Sequence, residues 1–187
     1  MIESVSFRTE EWNDVKEAAR KTIGKDGVGK EPTNAWKKQI LLAEHSPIRL
    51  LHYTIKFKNI PYFQVMHMCR HKIGCEHFVK SQREDRSETH TKRSDLPQDA
   101  PVDYMMVANA QALINISRKR LCNQAAKETR EAWEEAVDLI SKADPVMGSV
   151  LHREWIYRGY CPEPHCCGYV HTAAYRKELE EYRKVDK

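Results

Sequence analysis

No segment of this 187-residue sequence approaches the roughly 20 consecutive apolar residues that a membrane-spanning helix requires, and the uncharged stretch 60–69 is broken by Gln64 and His67. A transmembrane helix is thereby excluded. The N-terminus, Met1-Ile2-Glu3-Ser4, has neither the basic region nor the apolar core of a secretion signal. The expected location is the cytoplasm, where the six cysteines read as thiols or ligands before disulfides. Charge of one sign is also scarce, since 31 Lys and Arg stand against 27 Asp and Glu for a net +4. That excess suits an anionic small molecule and is too weak to mark a nucleic-acid binder. Glycine (7) and proline (8) are few, and there is neither an internal repeat nor a low-complexity tract.

What is present is a chain that is 41% hydrophobic with its apolar residues in periodic segments, long enough for one domain (1–187) with a real core. Trp12, Val15, Ala18 and Ala19 recur at helical spacing between a capping Thr9 and a stop at Gly24. Gly24, Gly27 and Gly29 then mark a loop. They lack the Gly-Lys-Ser/Thr that would make it a phosphate loop. A second helix is predicted over 34–44, and residues 50–57 alternate Leu51, Tyr53, Ile55 and Phe57 as a half-buried strand does. Pro61 opens a helix predicted through Arg70, in which Phe63, Met66 and Met68 read as core. Residues 102–108 form another candidate strand. Helices follow over 109–120, 123–141 and 173–184, with Pro145 ending the second of them. Between 80 and 95 no large apolar residue occurs and nine of sixteen positions are charged, so this segment is a solvated loop or one ordered by a charged ligand.

The densest chemistry is Arg70-His71-Lys72, followed after eight residues by Ser81-Gln82-Arg83. Guanidinium forks suit phosphate, an imidazole can donate to a carbonyl, and together they suit a phosphorylated polar heterocycle. Cations at a helix C-terminus that merely complement its dipole are the plain alternative. A second cluster lies at 161–171, where Cys161, His165, Cys166, Cys167 and His171 have ligand chemistry for zinc. Without two clean Cys-x-x-Cys pairs, packed thiols in a tight Pro/Gly loop are the preferred reading, and no metal site is assigned. Cys69 and Cys75 read as buried helix-end residues.

Arg70-His71-Lys72 with Ser81-x-Arg83 resembles the Arg-His-Arg, seven residues, Ser-x-Arg-Tyr signature of the flavin-dependent thymidylate synthases. Upstream, Ala18-Ala19-Arg20-Lys21-Thr22 and His45-Ser46-Pro47 are similar to two further segments of that family. Downstream, Arg93, Leu96-Pro97, Asn109-Ala110-Gln111, Asn115, Arg120 and Glu128 follow in the family's order. Departures are Lys72 for the third motif Arg, Glu84 for Tyr, His67 for Gln and Gln111 for Arg. The motif's Asn-Glu pair falls on Phe78-Val79, or on Glu76 and His77 if the extra residue lies elsewhere.

The resemblance implies an α/β (α+β) subunit, a central mostly antiparallel sheet with flanking helices, assembled as a homotetramer with active sites where subunits meet. It implies reductive methylation of dUMP to dTMP, with FAD as cofactor and NADPH and methylenetetrahydrofolate as co-substrates. On that implication Thr22, Ser46, Arg70, His71, Lys72, Asn109 and Asn115 contact FAD, while Arg70, Ser81, Arg83, Arg93 and Arg120 hold dUMP. Arg120 would stabilise charge developing on the uracil, and Ser81 would orient the pyrimidine without acting as a covalent nucleophile. Three other readings remain: a flavin-dependent pyrimidine nucleotide hydroxymethylase, an inactive relative, and a zinc-supported nucleic-acid-binding module.

Overall fold

A computed structural model describes residues 2–86 and 90–184. Four strands, β1 (Ile2–Phe7), β2 (His52–Pro61), β3 (Cys75–Val79) and β4 (Pro101–Asn109), form one antiparallel sheet in the order β1-β2-β4-β3. Alternation decides which face is inside. Tyr53, Ile55 and Phe57 of β2 are buried and stand opposite Ala108, Met106 and Tyr104 of β4. Lys56 points to the other face and is exposed. The sheet found here agrees with the antiparallel arrangement expected from the resemblance.

The inner face is covered by helices whose apolar stripes meet it in one buried cluster. Trp12 and Val15 come from α1 (Glu11–Lys21), and α2 (Asn34–Leu42) adds Ile40 and Leu41. Between β2 and β3 runs the short α3 (Tyr62–Met68), with Val65 and Met68 in the core. Leu113 and Ile116 come from α4 (Ala110–Arg120), and Trp133 and Ile140 from α5 (Lys127–Ala143). Two short helices, α6 (Pro145–Gly148) and α7 (Glu154–Arg158), lead to α8 (Ala173–Arg183). No helix among the described residues is long and apolar enough to cross a membrane.

Local chemistry corrects several boundaries. Thr9 does not cap α1: its hydroxyl bonds the Glu10 carboxylate instead, and the helix begins at Glu11 without a side-chain cap. Thr33 does cap α2, accepting the Trp36 N–H, and Asn109 caps α4, accepting the Ala112 N–H. The helix opened by Pro61 stops at Met68 rather than Arg70. Met68 is buried, but Met66 is 47% exposed and is not core. Cys75 is buried on β3, so it is a strand residue rather than a helix end.

One buried carboxylate ties three elements together. Asp144 Oδ2 accepts the Trp12 indole N–H at 3.0 Å and the Tyr53 hydroxyl at 2.9 Å, while Oδ1 caps α6 by accepting the Val146 and Met147 N–H groups. Burial, followed by the Asp144 charge, pushes the Tyr53 hydroxyl far above its ordinary range, so it remains a donor. Replacing Asp144 by Ala strands both buried side-chain donors and the cap together. We expect a loss of about 3 kcal/mol or more in urea unfolding. A loss under about 1 kcal/mol would contradict this role for Asp144.

Candidate functional site

The sheet topology places the basic turn. Because β3 runs antiparallel to β4, Cys75 at the start of β3 stands opposite Ala108 at the end of β4. Residues 69–74 must therefore lie beside the start of α4. Gly74 makes the reversal at φ +74°, and its carbonyl accepts the Asn109 N–H at 2.9 Å. A Cβ at position 74 would lie 2.7 Å from the Asn109 side chain, so the approach itself needs glycine.

This juxtaposition forms a cavity of about 420 Å³ lined by Arg70, His71, Lys72, Ile73, Ala112 and Asn115, together with Ile116. Arg70 and Lys72 are exposed at its rim. Arg120 reaches the same turn from the last position of α4, its Nε donating to His71 Nε2 at 3.0 Å and its Nη2 to the His67 carbonyl at 2.5 Å. No carboxylate among the described residues pairs with Arg70, Lys72 or Arg120. A half-buried guanidinium without a counter-charge is costly, and an anionic ligand would relieve that cost.

The imidazoles answer to this positive surrounding. Burial, then Arg120, then His77 push His71 down to about 4. Burial, Arg120 and Arg70 likewise lower His67, whose Nδ1 is 2.8 Å from the Thr129 hydroxyl. Burial and Arg70 also lower Arg120, although a guanidinium stays charged across the physiological range.

Other residues expected at the site lie elsewhere. Thr22 and Ser46 share a second, more apolar cavity of about 510 Å³ with Trp36, Ile40, His45 and Pro47. Ser81 and Arg83 belong to a polar loop, where the Ser81 hydroxyl accepts the Arg83 N–H and the Arg83 guanidinium is held by Asp85 at 2.8 and 2.9 Å. Arg93 opens an exposed turn, Arg93–Asp95, further along that loop. Asn109 stands behind the first cavity as the α4 cap. Thus one chain gathers Arg70, His71, Lys72, Asn115 and Arg120, and leaves Ser81, Arg83 and Arg93 apart from them.

Between the two cavities is a cluster that the sequence did not disclose. Glu44, in a left-handed backbone conformation (φ +49°), pairs with Arg118 through both carboxylate oxygens and accepts the Gln111 amide at 2.5 Å. Arg118 also lies over the Tyr157 ring, 3.4 Å from its centre. Gln111 stands where the resemblance expects Arg, and Arg118, two turns on and on the same helix face, carries the cation.

The cysteine-rich segment packs as expected only at Cys161, which is half-buried against the core. Cys166 and Cys167 are exposed, their sulfurs accepting the Gly168 N–H and the Asn123 amide. Among the described residues no group of three His, Cys, Asp or Glu is arranged to hold a metal ion.

The depressed histidines set a pH dependence. The fold favours neutral His71, so its contribution is complete above the ordinary value of 6.5 and is lost as pH falls toward about 4. His67 adds in the same direction. Stability measured in urea should fall on acidification through this window, with a shallower fall in His71→Gln. An identical slope in that variant would contradict the assignment.

Comparison with known proteins bears on the fold and on one segment of the sequence. Residues 88–146 match the family model described as thymidylate synthase complementing protein, a segment that contains Arg93, Asn109, Asn115 and Arg120 but not the basic turn. No curated protein sequence matches the chain. By fold it is similar to a flavin-dependent thymidylate synthase, ThyX, from Helicobacter pylori complexed with FAD and dUMP. The TM-score is 0.61 at 14% identity, over 80% of this chain and 98% of that one. It is also similar to a UMP/dUMP methylase, PolB, from Streptomyces cacaoi bound with 5-Br dUMP, with a TM-score of 0.57 at 14% identity over 79% and 93% of the two chains. The chain has the fold of the flavin-dependent thymidylate synthases and, over residues 88–146, the sequence pattern of the thymidylate synthase complementing proteins.

Proposed function

We propose that the protein is a flavin-dependent thymidylate synthase-like methyltransferase that converts dUMP to dTMP, with FAD as cofactor and NADPH and methylenetetrahydrofolate as co-substrates. The observation that carries this reading is the cavity bordered by Arg70, Lys72 and Arg120, cations without carboxylate partners among the described residues, around a neutral His71. That donor set fits the pyrophosphate and polar ring edge of a flavin dinucleotide: two cations at the rim, an imidazole and the Asn115 amide within. Thr22 and Ser46, on the second cavity, would extend the contact. FAD, when bound, supplies the hydride chemistry.

The chain's own residues then bind, orient and stabilise. Arg120 is fixed by the His67 carbonyl and the His71 ring, so its charge is aimed before a substrate arrives. A preorganised guanidinium of this kind stabilises negative charge on a uracil carbonyl without reorganising during the reaction. Ser81, Arg83 and Arg93 would grip the nucleotide, Ser81 orienting the pyrimidine. Because they stand apart from the basic turn within one chain, we place the complete site between chains of a homotetramer.

The test is direct. The purified protein should show a flavin absorbance spectrum or take up added FAD, should sediment as a tetramer, and with dUMP and both co-substrates should yield dTMP by mass spectrometry. Arg120→Ala should lower turnover by about 10²-fold or more while the protein remains folded. A hydroxymethylated product would move the reading to the hydroxymethylase alternative. A folded protein that binds no flavin would overturn it.

A further inference from the structure

The basic turn is held by a residue that does not line the cavity and has been given no role at it. His77, on β3, places Nε2 2.7 Å from the His71 carbonyl and Nδ1 2.7 Å from the Tyr104 hydroxyl. A carbonyl oxygen only accepts, so His77 Nε2 carries a proton. Burial, followed by Cys69 and Cys75, raises the Tyr104 hydroxyl well above its ordinary range, so it stays protonated and donates to His77 Nδ1. Tyr104 is itself fixed by stacking on Phe57, with ring centres 5.1 Å apart. The chain of donors therefore runs from the buried sheet, Tyr104 to His77 to the His71 carbonyl.

His71 is held at two further points. Its N–H donates to the Met68 carbonyl at 3.0 Å, and its ring Nε2 receives Arg120 Nε–H at 3.0 Å. A guanidinium only donates, so His71 Nε2 is the unprotonated nitrogen. In the neutral ring the proton is then on Nδ1, which has no protein partner among the described residues, on a side chain that lines the cavity. Arg120 from α4, His67 from α3, His77 from β3, and Arg70 and Lys72 of the turn itself are the titratable and charged groups around it.

We propose that His77 is a positioning residue which, through the His71 backbone carbonyl, holds the His71 ring against Arg120 in its Nδ1-protonated form, offering one neutral N–H to an uncharged carbonyl oxygen of a ligand in the cavity. The lock stands on the protein alone. Only the identity of the ligand rests on the proposed flavin function. Between three cations, a neutral donor adds recognition of an uncharged acceptor without further charge, which selects a heterocycle over a bare polyanion.

The test is ring-nitrogen NMR of the ligand-free protein. In the wild type, His71 should be protonated at Nδ1 and should not titrate between about pH 8 and pH 5. His77→Phe removes both hydrogen bonds. His71 should then exchange between tautomers and titrate nearer its ordinary value, and FAD affinity should fall by about tenfold. His77→Gln keeps an N–H for the carbonyl and an oxygen for Tyr104, and should restore the wild-type pattern. Should His77→Phe not fold, Tyr104→Phe, which removes only the hydroxyl, should shift His71 in the same direction to a smaller extent. Protonation of His71 at Nε2 in the wild type, or an unchanged His71 in a folded His77→Phe, would overturn the proposal. A wild type with the expected His71 pattern that binds no FAD would support the lock and count against the flavin function alone.

Discussion

Every contact around the basic turn depends on the antiparallel pairing of β3 with β4. That pairing sets Cys75 against Ala108, and so brings the turn 69–74 to the start of α4. Once there, Gly74 accepts the Asn109 N–H, Asn109 caps α4, and α4 carries Asn115 and Arg120 past the turn. The same pairing puts His77 within reach of Tyr104. A strand of five residues, Cys75–Val79, thus connects the sheet's buried aromatic rings to the polar surface of a cavity. Such a strand has too few pairs to be stable alone, and it draws its persistence from the β4 ladder and the core beneath.

Two arginines of α4 show how the fold sorts charge. Arg118 is satisfied: it has the Glu44 carboxylate, the Tyr157 ring and a position between helices. Arg120, two residues later, faces the basic turn with a carbonyl and an imidazole as its hydrogen-bond partners among the described residues. The first is a closed pair that joins the turn after α2 to α4. The second is an open charge, desolvated by burial and crowded by Arg70. The basic turn is thus a cavity whose cations have no carboxylate partner among the described residues. Open charge of this kind is a functional sign, because it weakens the fold unless a ligand completes it.

Local signals were enough to read much of this from the sequence, and distance explains what they missed. The strand around Tyr53, Ile55 and Phe57 and the helix after Asn109 were legible because alternation, helical period and a capping side chain act within a few residues. The strands β1 and β3 were not, since Ile2–Phe7 and Cys75–Val79 are short, adjacent polar residues (Glu3-Ser4 and Glu76-His77) break their alternation, and they are fixed by partners far along the chain. The same holds for Asp144, whose donors Trp12 and Tyr53 lie 132 and 91 residues away, and for Glu44, which is 74 residues from Arg118. At the site, the motif residues Arg70, His71, Lys72, Asn115 and Arg120 do converge, as their order suggested. Ser81, Arg83 and Arg93 do not join them, because the loop that carries them is polar and makes its own local turns and ion pair.

The proposed function requires that a flavin and a pyrimidine nucleotide meet at the cavity of the basic turn. Crystals of the protein grown with FAD and dUMP test it most directly. Flavin density is expected against Arg70, His71 and Lys72, with the Arg120 guanidinium turned to a carbonyl oxygen of the uracil ring. Density for both ligands at a place that touches none of these four residues would contradict it.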